Sequence, residues 1–173
     1  MLLGDFSTAR SMDAAVEGWL GPLGLPQDFW YPDTGYHEVK AIGPSTSTVR
    51  ISSELQLDAS PLELLVLTVA STAESTPGAV NLPTLVLRAR AALAELGATP
   101  DPVDERLQRL GVSIDESFYQ ETWFVVTHLQ GFAVSADFPA IRASQTDPAI
   151  SRVAYQVDLS QIQPFLTRTA EVD

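Results

Sequence analysis

The sequence predicts a mixed α/β (α+β) protein: a central β-sheet of mixed direction flanked by helices, with a C-terminal extension of helix and β-hairpin. Three stretches carry that expectation. Two strand-like runs, residues 28–31 and 36–42, surround Pro32-Asp33-Thr34-Gly35, a turn signal in which proline presets φ and glycine accepts an unusual one. Residues 62–70 form an apolar run, rich in β-branched side chains, that follows Pro61 and has the length of a buried strand. Between Asn81 and Gly97 lies a helix-forming stretch with a capping residue before it, Pro83 in its first turn and glycine at its end.

Taken in order, residues 2–20 read as a helix, with Leu3, Phe6, Ala9 and Met12 at the spacing of one buried face. The Gly21-Pro22-Leu23-Gly24-Leu25-Pro26 segment is a loop without a phosphate-cradling glycine pattern. After the hairpin, residues 46–51 are β-branched enough for a third strand. Ser52 or Ser53 then caps a short helix carrying Glu54 and Gln56. The sheet centre is expected from residues 28–31, 36–42, 46–51 and 62–70. A Ser/Thr/Pro/Gly-rich surface loop spans 71–80, and a helix within 100–111 has Val103, Leu107 and Leu110 on its apolar side. Residues 121–129 and 131–138 read as a second hairpin, and 152–159 as a further strand. Residues 1–70 are thus expected to form the functional core and 71–173 an extension packed on the same domain.

Composition narrows the function. The absence of cysteine excludes disulfides, thiolate metal sites and cysteine nucleophiles, and two histidines leave little for a histidine-rich zinc site. His128, between apolar strand residues, reads as a hydrogen-bonded structural residue. The start lacks the pattern of a signal peptide and Glu63 interrupts the greasiest run, so a cytoplasmic location and no membrane partner are expected. A net charge of −12 argues against unaided gripping of nucleic acid, because phosphate affinity comes chiefly from Lys and Arg. A partner subunit, a further N-terminal portion or a local arginine patch would answer that objection.

The candidate chemistry lies in the first hairpin, which brings Asp28 beside Glu38 and Lys40. An E-x-K triplet alone is common and reads as two same-face charges on an edge strand. Lys40, however, is the only lysine among ten basic residues, a use of a compact ammonium where the rest of the chain uses guanidinium. Side chains alternate along a strand, so Glu38 and Lys40 share a face. A four-residue loop, 32–35, would set Asp28 against Val39, on the wrong face. An odd loop or one bulged residue is needed to align Asp28 with the pair.

An Asp opening one strand, Glu38-Val39-Lys40 on the next and Gln56 beyond it resemble the PD-(D/E)XK nuclease superfamily, of restriction-endonuclease-like fold. Gly21-Pro22, Gln27-Asp28-Phe29, Ser52-Ser53-Glu54-Leu55-Gln56-Leu57-Asp58, Asp137-Phe138-Pro139 and Tyr155-Gln156-Val157-Asp158-Leu159 are similar to a branch of bacterial PD-(D/E)XK motif proteins linked to restriction and phage-defence systems. The resemblance implies a Mg²⁺- or Mn²⁺-dependent endodeoxyribonuclease acting on DNA, with defence-system proteins as partners. It implies Asp28, Glu38, Lys40 and Gln56 as catalytic residues, and Asp28, Glu38, the Val39 carbonyl and Asp5 as metal ligands. It also implies an N-terminal portion not recognisable in this sequence. The alternative is a catalytically silent subunit that keeps the fold for binding or assembly; a chance motif in an unrelated acidic α/β protein is the third reading.

Overall fold

A computed structural model describes residues 16–172, residues 96 and 98 excepted. The helix expected over residues 2–20 falls mostly outside them, as does Asp5 altogether. The elements are β1 (Phe29–Tyr31), β2 (Gly35–Ile42), β3 (Thr48–Ile51), β4 (Leu62–Thr72), α1 (Leu82–Glu95), α2 (Asp101–Arg109), α3 (Ser117–Glu121), β5 (Trp123–Ala133), β6 (Tyr155–Asp158) and β7 (Leu166–Glu171). Five strands form a mixed sheet in the order β1-β2-β4-β5-β7, and β3 pairs with β6 in a separate two-stranded sheet. The fold class is therefore the mixed α/β one that the sequence predicts, consistent with a restriction-endonuclease-like fold.

By internal contacts the chain divides into one unit of Pro26–Ala70 with Val126–Asp173 and another of Met1–Leu25 with Ser71–Val125. The first unit draws on both sides of the 70/71 boundary drawn from the sequence, and it contains the candidate hairpin. Its core is built on Val49, Ile51, Leu57, Leu64, Phe132 and Ile162, none of which is exposed. In the second unit, Val86 and Leu93 of α1 meet Val103 and Leu107 of α2. Asn81 caps α1 as expected, its Oδ1 accepting from Thr84 N at 2.9 Å. Leu110, placed on the apolar side of α2 from the sequence, is instead 49% exposed, since the helix ends at Arg109 and Leu110 begins the turn after it.

Four local expectations are corrected. Residues 46–51 do form a strand, but not in the central sheet: β4 takes the place beside β2, in parallel, while Val49 and Ile51 turn into the core from the β3–β6 ribbon. The second hairpin is absent, because residues 123–133 are one continuous strand. Gly131, expected to open the second strand of that hairpin, is there for close approach: a Cβ at that position would lie 2.5 Å from Glu63 Oε1 and 2.8 Å from Arg168 Cγ. A register shift in the β5–β7 pairing falls at the same place, between Gly131 and Phe132. The C-terminal strands β6 and β7 enter different sheets, so the extension does not end in a hairpin either. Finally, residues 54–57 form a turn, not a helix.

The first hairpin has the odd loop needed to align Asp28 with Glu38 and Lys40. Its pairs are Phe29↔His37, Trp30↔Tyr36 and Tyr31↔Gly35, so the loop is the three residues Pro32, Asp33 and Thr34. Gly35 holds φ at 82°. A Cβ on it would come within 2.6 Å of Pro61 Cγ and 2.7 Å of Pro61 O, and Tyr36 N donates to that same carbonyl at 3.0 Å. Replacing Gly35 with alanine therefore adds left-handed strain to a backbone clash. We expect a loss of about 3 kcal/mol in urea unfolding; a change within about 0.5 kcal/mol would show that the turn relaxes freely.

Candidate active site

Asp28 lies one step past the Phe29↔His37 pair, opposite Glu38, because the odd loop supplies the parity that a four-residue turn would not. Its backbone N–H donates to His37 O at 3.1 Å. Its carboxylate then takes over from the strand: Oδ2 accepts from Val39 N at 2.8 Å, a side chain satisfying a backbone donor where β1 begins. One hydrogen bond thus fixes the Asp28 carboxylate to the strand that bears Glu38 and Lys40.

Glu38 is 1% exposed. Its Oε1 lies 2.7 Å from Lys40 Nζ in an ion pair, and neither oxygen has a well-directed hydrogen bond among the described residues. Burial pushes its carboxyl up to about 7; contact with Lys40 opposes the shift and the nearby Asp28 charge adds to it. Lys40 Nζ is also 3.1 Å from Gln56 Oε1, which accepts a second bond from Ser52 N at 2.7 Å. Gln56 thereby anchors the ammonium from a turn rather than from the expected helix.

Gln27, given no role by the sequence pattern, supports the site from behind. It is buried, and its Nε2 donates to Leu55 O at 2.8 Å and Gln56 O at 3.3 Å. The residue next to Asp28 thus holds the backbone of the turn that presents Gln56. A glutamine directly before the acid was its only signal in the sequence.

On the other face of β2 lies a separate polar network. His37 Nε2 is 2.9 Å from Thr34 Oγ1, and its Nδ1 is 3.4 Å from Glu63 Oε2. Arg168 Nη2 reaches the same Glu63 oxygen at 2.8 Å, and Thr167 Oγ1 donates to Glu63 Oε1 at 3.0 Å. Burial alone would raise the Glu63 carboxyl, but the bonds from His37 and Thr167 and the Arg168 charge bring it below its ordinary value. This network ties β2, β4 and β7 together and satisfies both Glu63 oxygens, while His37 Nδ1 and Arg168 Nε stay buried without a well-directed hydrogen bond among the described residues. His128 is half exposed, with Thr127 Oγ1 at 3.2 Å and Glu171 at 4.0 Å as its side-chain neighbours among the described residues.

The site therefore gathers Asp28, Glu38, Lys40, Val39 and Gln56 in one unit. A family model described as "Putative PD-(D/E)XK family member, (DUF4420)" matches residues 1–160. The chain belongs to this PD-(D/E)XK family. The family is nuclease-like, its superfamily generally uses divalent metal, and DNA binding is its general property. No curated protein and no solved structure matches the chain.

Whether the PD-(D/E)XK residues fit a divalent cation can be judged from their chemistry. Among the described residues no three His, Cys, Asp or Glu side chains cluster as a complete metal cage. Magnesium does not need one: it binds through one or two carboxylates and keeps several waters. Glu38, buried with its oxygens short of hydrogen bonds and set opposite Asp28, has the donor chemistry of such a site.

A pH dependence follows for the metal-free protein. The folded Glu38 pKa of about 7 is above its unfolded value, so between roughly pH 4.5 and 7 the folded state holds the extra proton and stability falls as pH rises. The full effect, at most about 3 kcal/mol, is reached above pH 7. Glu38→Gln should remove this slope and stabilise the metal-free protein at pH 8, as read by urea unfolding in EDTA. An unchanged slope in the variant would show that Glu38 is not the group responsible.

Proposed function

We propose that this protein hydrolyses phosphodiester bonds of DNA with a divalent cation, Mg²⁺ or Mn²⁺, as a nuclease component of a restriction or phage-defence system. The observation that carries the reading is a buried Glu38, starved of hydrogen bonds, facing Asp28 and contacted by the single lysine. A carboxylate held that way loses stability unless a positive ligand compensates it. Asp28 and Glu38 would hold the cation, with the Val39 carbonyl and Asp5 as further proposed ligands. When bound, such a cation supplies Lewis acidity, acidifying water and withdrawing charge from a phosphate.

The chain's own groups do the rest. Asp28, tied to Val39 N through one oxygen, keeps the other for a ligand without swinging away. Lys40 would orient the attacking water and neutralise charge growing on the phosphate oxygens. Gln56 gives the ammonium a second acceptor beside Glu38 and so helps to hold it in position. A compact ammonium fits between two oxygen acceptors only 2.7 and 3.1 Å away, where a planar guanidinium is too large.

The acidic balance favours a second reading, a catalytically silent subunit that binds or assembles within a defence complex. Cleavage separates the two. Plasmid and oligonucleotide DNA should be cut in Mg²⁺ and left intact in EDTA. Lys40→Arg and Glu38→Gln should keep the fold by circular dichroism and lose at least about 100-fold in cleavage rate. Full activity in Lys40→Arg would rule out this mechanism, and no cleavage by the unaltered chain, alone or with its partners, would favour the silent subunit.

A further inference from the structure

We propose that Trp30 is a stacking platform for an unpaired DNA base next to the carboxylate pair, so that the favoured substrate is single-stranded, or unstacked, at the cleaved position. This rests on the nuclease reading and gives it a substrate class. Trp30 sits on the edge strand β1 and is 41% exposed. Alternation along β1 puts it on the face of Asp28, two residues before it, a step of about 6.6 Å along the strand. Its cross-strand partner is Tyr36, on the face of Glu38 and Lys40, with ring centroids 6.5 Å apart and planes at 55°. Tyr36 in turn packs on the buried core. The indole therefore leans against a tilted ring and is partly open to solvent, on the same face of the hairpin as the carboxylates.

A single exposed aromatic on a protein surface is ordinary. Here the cations give this one a purpose. In the unit that holds the site, Lys40 is engaged by Glu38 and Gln56, Arg168 by Glu63, and Arg142 by the carbonyls of Ser135 and Phe138, which leaves the exposed Arg50 and Arg152 as the cations available to phosphate. Acidic residues outnumber basic ones in the whole chain by 22 to 10. Duplex DNA presents a dense row of phosphates to that surface, one charge per about 1.7 Å, and hides its base faces in the stack. An unpaired nucleotide offers fewer charges and an open π-face, and stacking on tryptophan needs no cation.

The test is binding measured apart from cleavage. A 5′-labelled, mixed-sequence oligonucleotide, single-stranded or annealed as a blunt duplex, is titrated in EDTA and in Ca²⁺ with the unaltered chain, Trp30→Phe and Trp30→Ala. Trp30→Ala should weaken single-strand binding about tenfold or more, Trp30→Phe should retain most of it, and duplex binding should change by less than about threefold. Trp30→Phe also serves as the folding control. Single-strand affinity that survives Trp30→Ala, or that falls equally for both DNA forms, overturns the platform, as does failure of the chain to bind either form. The two readings fail separately. Trp30-dependent single-strand binding without Mg²⁺-dependent cleavage upholds the platform and removes the nuclease. Cleavage of single strands with the same kcat/KM in Trp30→Ala keeps the nuclease and removes the platform.

Discussion

The parity of one turn governs this molecule. With three residues between Tyr31 and Gly35, every even-numbered side chain from Asp28 to Lys40 in the hairpin strands lies on one face, and the odd-numbered ones lie on the other. That parity is enforced by contact as well as by turn chemistry. Gly35 is pressed against Pro61, the residue before β4, and Tyr36 N bonds to its carbonyl. The same contact that shapes the hairpin therefore starts the parallel β2–β4 ladder at Tyr36↔Leu62. Site geometry and sheet registry are set together.

Two glutamates on neighbouring strands show what that registry achieves. Glu63 meets His37, Thr167 and Arg168, and its carboxyl drops below the ordinary value. Glu38 is more deeply buried yet has only the Lys40 ion pair, and its carboxyl rises to about 7. Folding alone accounts for Glu63, whose partners come from two other strands, β2 and β7. Glu38 is held where burial disfavours its charge despite the Lys40 ammonium, an imbalance that the proposed cation would relieve. The contrast is internal to one sheet, so it needs no reference to other proteins.

Much of this was legible in the residues, for physical reasons that differ by element. The apolar, β-branched run of 62–70 and the Asn81, Pro83 and Gly97 punctuation are local signals, and both elements formed where expected. The need for an odd loop followed from strand alternation alone. What failed was long-range. Nothing near residues 48–51 says that their partner is Tyr155–Asp158 rather than β2. Gly131 looks like the start of a new strand until Glu63 and Arg168, distant in sequence, are seen to crowd it. β7 went unread because Leu166-Thr167-Arg168-Thr169-Ala170-Glu171 is a largely exposed edge strand with little apolar pattern. Glu63 was read as an interruption of an apolar strand, and its partners on β2 and β7 explain why a charge is tolerated there.

The three-residue loop has an evolutionary and engineering consequence. Adding one residue between Tyr31 and Gly35 would exchange the faces of β1 relative to β2, presenting Phe29 and Tyr31 where Asp28 and Trp30 now stand. Adding two would restore the faces at the modest entropic cost of a longer loop. Length change at this hairpin is therefore counted in twos, so that peptide tags or reporter segments grafted into it would be accepted or rejected by odd or even number before their composition mattered.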